Sequence, residues 1–255
     1  MASAPSHPII ALWVHPRSMS TAIERIMRER GDLDCLHEPF MYYYYVGLGK
    51  RELPHSDLHI GRLTGFDEIV QDMQLRAKRS PVFFKDMGYY VLPEIYSHSR
   101  LAVDFQHLIL IRDPRKSILS YYRLDPEVSM EEIGVESQFR LYTWLKNEGG
   151  SPLVVEAETV QQNPEDVMSA VWEQLGLDHR ADAFSWRADD VPEDWKSVSG
   201  WHQAVMASGG IRQNVEDEAV ISERFEKAAA DNPRLRSLLD HHWPFYENLK
   251  MISRG

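Results

Sequence analysis

The six residues Ile9–Val14, Ile-Ile-Ala-Leu-Trp-Val, form an apolar run with no alternation that leads straight into His15-Pro16-Arg17-Ser18-Met19-Ser20-Thr21. A strand that is apolar on both faces needs cover on both faces. It therefore belongs inside a parallel sheet flanked by helices. The residues that follow predict an amphipathic helix over about 20–30, stopped by Gly31 at a position glycine favours. Hydroxyls and backbone N–H groups between a strand end and a helix start make an anion site. The first N–H groups of the helix lack partners, and its dipole favours negative charge.

The same alternation continues along the chain. Further short strands are expected at 34–36, 82–84, 108–111 and 153–155. Helices are expected at 66–78, 114–122, 131–146, 164–175, 222–230 and 233–239, and 180–211 reads as irregular. The fold class is α/β, a parallel central sheet with helices on both faces. Ligands of such sheets bind beyond the C-terminal ends of the strands. Here those ends carry Arg17 and Ser18, His37 and Glu38, Lys85 and Asp86, Arg112 and Asp113, and Glu156. Five strands thus deliver charge to one edge.

The chain has 255 residues with 28 Lys and Arg against 39 Asp and Glu, a net charge of −11. That balance argues against nucleic acid or an anionic membrane as partner, and an anionic ligand would need a local basic cluster. Arg112, Arg115, Lys116 and Arg123 supply one, with Arg17 in the first loop. The single cysteine, Cys35, cannot form an intramolecular disulfide and fits a reducing compartment. The leading apolar run is too short for a signal peptide or a membrane span, so a cytoplasmic chain is expected. No histidine pair has metal-ligand spacing, so no metal is expected, and His241-His242 reads as a polar helix end.

Three stretches carry a family resemblance. The segment from Pro8 to Thr21 resembles the 5′-phosphosulfate loop of sulfotransferases that use PAPS (3′-phosphoadenosine-5′-phosphosulfate). The stretch from His107 through Arg112-Asp-Pro to Ser120-Tyr-Tyr is similar to the family's 3′-phosphate segment. Val154-Val155-Glu156, Asn163-Pro164 and Trp172 to Leu177 resemble a third family region. The resemblance implies the three-layer, P-loop-like sulfotransferase fold as a single domain over 1–255, with the part from about 180 onward as lid and substrate loops. It implies a soluble enzyme that moves a sulfuryl group from PAPS to a hydroxyl or amine of a small molecule and leaves PAP (PAPS without its sulfate). No metal is required, because no γ-phosphate needs coordinating.

By the same resemblance, Arg17 would stabilise the bridging oxygen of the donor. Ser18, Met19, Ser20 and Thr21 would hold its 5′ end, Arg112 and Ser120 its 3′-phosphate, and Arg212 a late contact to that phosphate. Met19 stands where the family usually has glycine. The histidine that many cytosolic members place after the third strand is missing from Lys85-Asp86-Met87. A carboxylate general base is expected instead: Glu38 first, Asp86 second, His37 third, with Lys85 near the transferring group. The four tyrosines 42–45 are read as packing residues that could also line an acceptor pocket. The loops 41–65 and 180–211 are expected to hold acceptor choice, and oligomeric state stays open. Two other readings stand beside this one. One is a P-loop kinase or NTPase with magnesium on Asp113 or Asp86, against which the Walker lysine is absent. The other is a catalytically idle nucleotide-binding protein.

Overall fold

The computed structural model describes residues 6–58, 61–92, 94–188, 190–213 and 216–254. Residues 59–60 and 189, within the two loops expected to hold acceptor choice, lie outside them. Five strands, β1 (Ile9–Val14), β2 (Asp34–His37), β3 (Val82–Met87), β4 (Gln106–Ile111) and β5 (Leu153–Glu156), form one sheet in the order β2-β3-β1-β4-β5. Every pairing is parallel. β1 lies at the centre, and none of its six residues is more than 2% exposed. That is the expected fate of an unalternating apolar strand.

The register aligns the C-terminal ends. His37 pairs with Lys85, Leu12 with Lys85, Val14 with Met87, and Ile111 with Glu156. β3 is longer than expected, because Lys85 and Asp86 stay within the strand. Each has a buried partner, Glu38 Oε1 for the ammonium and two backbone N–H groups for the carboxyl. β1 and β4 pair only as far as Trp13 and Ile109. Beyond that, the Gln138 amide donates to Trp13 O (3.2 Å) and Leu110 O (2.8 Å), satisfying carbonyls that the ladder leaves open. This is where the order of connections reverses on either side of β1, the usual place for a ligand crevice.

The helix α1 (Ser20–Glu29) follows β1 directly, and Phe66–Arg76, Pro114–Leu124, Val135–Asn147 and Pro164–Gln174 match expected helices within a few residues. Three expectations need correction. The stretch 131–146 is two helices, Met130–Ile133 and Val135–Asn147, broken at Gly134 with φ +82°. A Cβ there would meet His15 Cβ at 3.1 Å and Pro16 Cδ at 3.3 Å, so the break lets the chain pass tightly against the first loop. The last helix does not end at 239 but runs over Pro233–Ile252. His242 is 1% exposed, with Nε2 at Met130 O (2.8 Å) and Nδ1 receiving the Glu136 N–H (3.3 Å), so it lies inside the helix and not at a polar end. The stretch 180–211 contains a regular helix, Ser199–Met206, which lies over the start of α1. No helix among the described residues is long and apolar enough to cross a membrane.

Candidate active site

The turn from β1 into α1 contains left-handed backbone at two residues that are not glycine, Arg17 (φ +62°) and Met19 (φ +71°). Each costs roughly 1–2 kcal/mol relative to ordinary backbone. Such strain gathers where surrounding contacts over-determine a loop. One such contact is His15, fully buried, which donates from Nδ1 to Pro16 O (3.1 Å) and accepts the Arg112 N–H at Nε2 (3.2 Å). Burial and the nearby Arg112 charge push its pKa down to about 3, so it stays a neutral link between the ends of β1 and β4.

Arg17 donates from Nε to Ser120 Oγ (3.0 Å) and from one guanidinium nitrogen to Trp201 O (2.6 Å). Arg112 donates to Arg17 O (2.6 Å). Ser120 is thus reached by Arg17. Among the described residues, neither Arg17 nor Arg112 has a carboxylate within ion-pair distance, although Glu158, Glu216 and Asp113 lie near enough to act on the Arg112 charge. Burial pushes both guanidiniums below the ordinary arginine value, and for Arg17 the adjacent charge of Arg112 adds to it. The neighbouring cations differ. Arg115 pairs with Asp113 (2.5 Å) and Glu218 (2.6 Å), and Lys116 lies 3.7 Å from both Glu158 and Glu216. Beside these two unpaired cations, Ser18 is fully buried and its hydroxyl has no partner. Positive charge at a helix start is the arrangement that favours an anion.

Glu38, also left-handed (φ +42°), begins a short helical turn at Pro39–Tyr42. Its Oε1 receives Lys85 Nζ at 2.6 Å, and Lys85 Nζ also lies 3.6 Å from Glu24 Oε2. Burial opposes the charge on Lys85, yet Glu38 and Glu24 raise its pKa above the ordinary lysine value. Asp86 is fully buried. Its two oxygens accept the N–H groups of Phe40 (2.6 Å) and Met87 (2.9 Å), which fixes the turn that presents Glu38. Burial, with the Glu38 charge, raises the Asp86 pKa well above the carboxylate range.

These groups open onto one cavity of about 200 Å³. Arg17, Met19, Ser20, Thr21, Glu38, Lys85 and Arg112 line it, and Ser18, His37, Asp86, Ser120 and Arg212 do not. Arg212 is exposed, and its carbonyl receives the Gln161 amide. The rest of the wall is aromatic and apolar. It includes Tyr45, Tyr89, Tyr90 and Tyr121 and, from the 180–211 stretch, Val198, Trp201 and Val205. Of the tyrosines 42–45, all buried, only Tyr45 reaches the cavity.

Sequence reasoning missed three polar residues here. Glu24 is fully buried on α1 and receives Trp195 Nε1 (2.8 Å), Arg28 Nε (2.9 Å) and His37 Nδ1 (2.7 Å). His202 reaches His37 from a helix that the composition of 180–211 hid. His15 was visible in the motif without a role. The i,i+4 spacing of Glu24 and Arg28 on α1 was the one available signal. His37, Glu38 and His202 bring potential ligand atoms within 4.8 Å of one another, and the cation beside them is Lys85.

A family model described as a sulfotransferase domain matches residues 8–251. The chain belongs to the sulfotransferase family. Its curated relatives include branched-chain-amino-acid aminotransferase-like protein 2 of Arabidopsis thaliana, 26% identical over 205 residues, and protein 1 of that plant, 25% identical over 208. Each match covers 80% of this sulfotransferase chain but only 36% of the relative's length. Among solved structures, the sulfotransferase domain of the Synechococcus PCC 7002 olefin synthase superposes with a TM-score of 0.56 at 18% identity, covering 90% of this chain and 97% of that one. The sulfotransferase domain of the curacin biosynthetic pathway gives 0.52 at 12%, covering 90% and 98%. A sulfotransferase from Alicyclobacillus acidocaldarius gives 0.52 at 15%, covering 92% and 96%. These likenesses show a shared sulfotransferase fold.

Proposed function

We propose that this chain transfers a sulfuryl group from PAPS to a small-molecule hydroxyl or amine, with Glu38 as general base. The observation that carries the reading is the pair of guanidiniums, Arg17 and Arg112, which among the described residues have no carboxylate within ion-pair distance, in a chain of net charge −11. Half-buried guanidiniums without such partners are suited to hold an anion. In this reading the donor's phosphosulfate lies against Ser20 and Thr21 at the start of α1, and Arg112 meets the 3′-phosphate in a bidentate fork. Ser120 contributes through Arg17, which it orients, and Arg212 is a peripheral contact.

The acceptor oxygen or nitrogen attacks sulfur from the aromatic side of the cavity. The new bond to sulfur forms as the bond from sulfur to the bridging phosphate oxygen breaks. PAP leaves carrying the electron pair, and the acceptor's proton passes to Glu38. Arg17 meets the charge that grows on the bridging oxygen, and Lys85 meets the sulfuryl oxygens. Such positioned charge typically supplies the largest share of catalysis. Asp86 is a positioning residue, its two oxygens being held by backbone N–H groups. The same engagement, and the Arg115 fork on Asp113, leave neither aspartate open for the magnesium that a kinase would need.

The test is calorimetric titration of PAP, ADP and magnesium-ATP into wild type and Arg112→Ala. Micromolar PAP binding that exceeds ADP binding and collapses in the variant is expected. PAP binding no better than ADP, or best binding by magnesium-ATP, refutes the proposal.

A further inference from the structure

Arg17, which meets the bridging oxygen in the donor reading, is held from two sides. Its Nε donates to Ser120 Oγ (3.0 Å) on the helix Pro114–Leu124, and its Nη1 donates to Trp201 O (2.6 Å) on the helix Ser199–Met206. A guanidinium is planar, so bonds from two of its nitrogens fix both its plane and its reach. The remaining N–H groups are left for an anion. An arginine at the rim of a cavity otherwise has much rotamer freedom to lose when a ligand arrives. Ser120 supplies one restraint through its side chain. Trp201 supplies the other through its carbonyl, so whatever fixes the backbone at 201 also fixes Arg17.

The side chain of Trp201 does that fixing. Its indole N–H donates to Pro54 O (2.7 Å). Its ring meets Tyr121 edge to face, with centroids 5.3 Å apart, and lies 6.2 Å from the ring of His55. Tyr121 directly follows Ser120, so the two restraints on Arg17 share one helix turn. The preceding residue is seated just as closely. A Cβ at Gly200 would stand 2.7 Å from His55 Cβ and 3.1 Å from His55 O, so only glycine lets the helix approach this far. Three residues earlier, Ser197 O accepts the Asp57 N–H (2.7 Å). His55 itself has left-handed backbone at φ +56°, strain of the kind that gathers where contacts over-determine a segment. The stretch 53–57 is therefore a seat for the start of the helix Ser199–Met206. Leu53, Trp201 and Val205 also line the cavity, so the seated residue is part of the wall as well as a partner of Arg17.

We infer that Trp201 is a positioning residue for Arg17: its indole, locked on Pro54 and Tyr121, holds its carbonyl where it aligns the guanidinium on the 5′ end of the donor. The inference rests on the donor reading above. A cation aligned before the ligand arrives gives up little freedom on binding, and one without its restraint binds the same phosphate more weakly.

The probes are PAP and adenosine 3′-phosphate, which differ only in the 5′-phosphate that Arg17 meets. Both are titrated by calorimetry at one pH into wild type, Arg17→Ala, Trp201→Ala, Trp201→Phe, Gly200→Ala and the double variant Arg17→Ala with Trp201→Ala. Wild type should prefer PAP, and Arg17→Ala should lose most of that preference. Trp201→Ala and Gly200→Ala should each cut the preference by roughly tenfold, the worth of one charge-assisted hydrogen bond. Their affinity for adenosine 3′-phosphate should stay within about twofold of wild type, because no restraint on Arg17 matters to that ligand. Trp201→Phe keeps the ring on Tyr121 and should recover part of what Trp201→Ala loses. The double variant should lose no more than Arg17→Ala, because the effect passes through Arg17. A wild-type preference retained by Trp201→Ala and Gly200→Ala, an equal fall for both ligands in all three single variants at 200 and 201, or a further loss of preference in the double variant overturns the inference and leaves the donor reading standing. Absence of PAP binding by wild type overturns the donor reading and the inference with it.

Discussion

Replacing Lys85 by methionine tests what holds Glu38, the proposed base, in place. The ammonium lies 2.6 Å from Glu38 Oε1 and 3.6 Å from Glu24 Oε2, and none of the three side chains is more than 6% exposed. Unit charges 2.6 Å apart attract by roughly 6 kcal/mol at an effective dielectric of about 20, and desolvation of both groups offsets part of that. Removing one member of a buried pair costs about 3–5 kcal/mol, because the other charge stays behind uncompensated. Methionine keeps the length and volume of the stem, so the loss is electrostatic and not a cavity. A domain of this size loses about 2–4 °C of melting temperature per kcal/mol, so Lys85→Met should melt roughly 10 °C lower. Urea unfolding at pH 7.5 gives the free energy directly. The double variant Lys85→Met with Glu38→Gln should recover a clear part of the loss, because it leaves no unpaired charge at that link. A single variant within about 1 kcal/mol of wild type, or a double variant no more stable than the single, would refute the reasoning.

Met19→Gly should raise stability by up to about 1 kcal/mol, since relief of left-handed strain at +71° exceeds the added freedom of glycine in the unfolded chain; a lower urea midpoint would show that the methionine side chain contributes more than the strain removes. His15, held near a pKa of about 3, is neutral in the folded protein while the unfolded chain takes up a proton near 6.5. Its contribution is therefore complete above pH 6.5 and falls as pH drops, by about 1.4 kcal/mol per unit; His15→Gln should lose roughly 2–3 kcal/mol less than wild type between pH 7 and 4.5, read from paired urea titrations. Burial pushes the Cys35 thiol up to about 12, so iodoacetamide at pH 8 should leave it unmodified by mass spectrometry until the protein is unfolded.

The sheet was legible because each strand has an apolar stretch followed by charge. Both signals are local, and β1 was recovered residue for residue. The loop residues were legible for the same reason: Arg17 to Thr21 are contiguous, and a strand on one side and a helix on the other fix where they point. The limits were set by distance along the chain. His202 joins Thr21 and His37 only because the helix Ser199–Met206 lies over α1, and no spacing rule connects residues so far apart. The role of Asp86 was hidden differently. A carboxylate at a strand end reads as open to a ligand, and only the fold reveals that two backbone N–H groups already occupy it. The last helix outran its expected end because His242, polar by composition, finds both partners inside the protein.

The strand order has a consequence for how the chain folds. β1 is synthesised before the other four strands of its sheet, yet its neighbours are β3 and β4, through the pairs Ile9–Val82 and Ile10–Gln106. Until both exist, a six-residue apolar strand has open edges and uncovered faces, the form most prone to pair with another chain. Non-local parallel pairing of this kind closes slowly, because long loops must be ordered before any contact rewards them. The loop at the end of β1 thus gains its contact to β4 only after residue 112 has been made, when Arg112 and His15 can first meet.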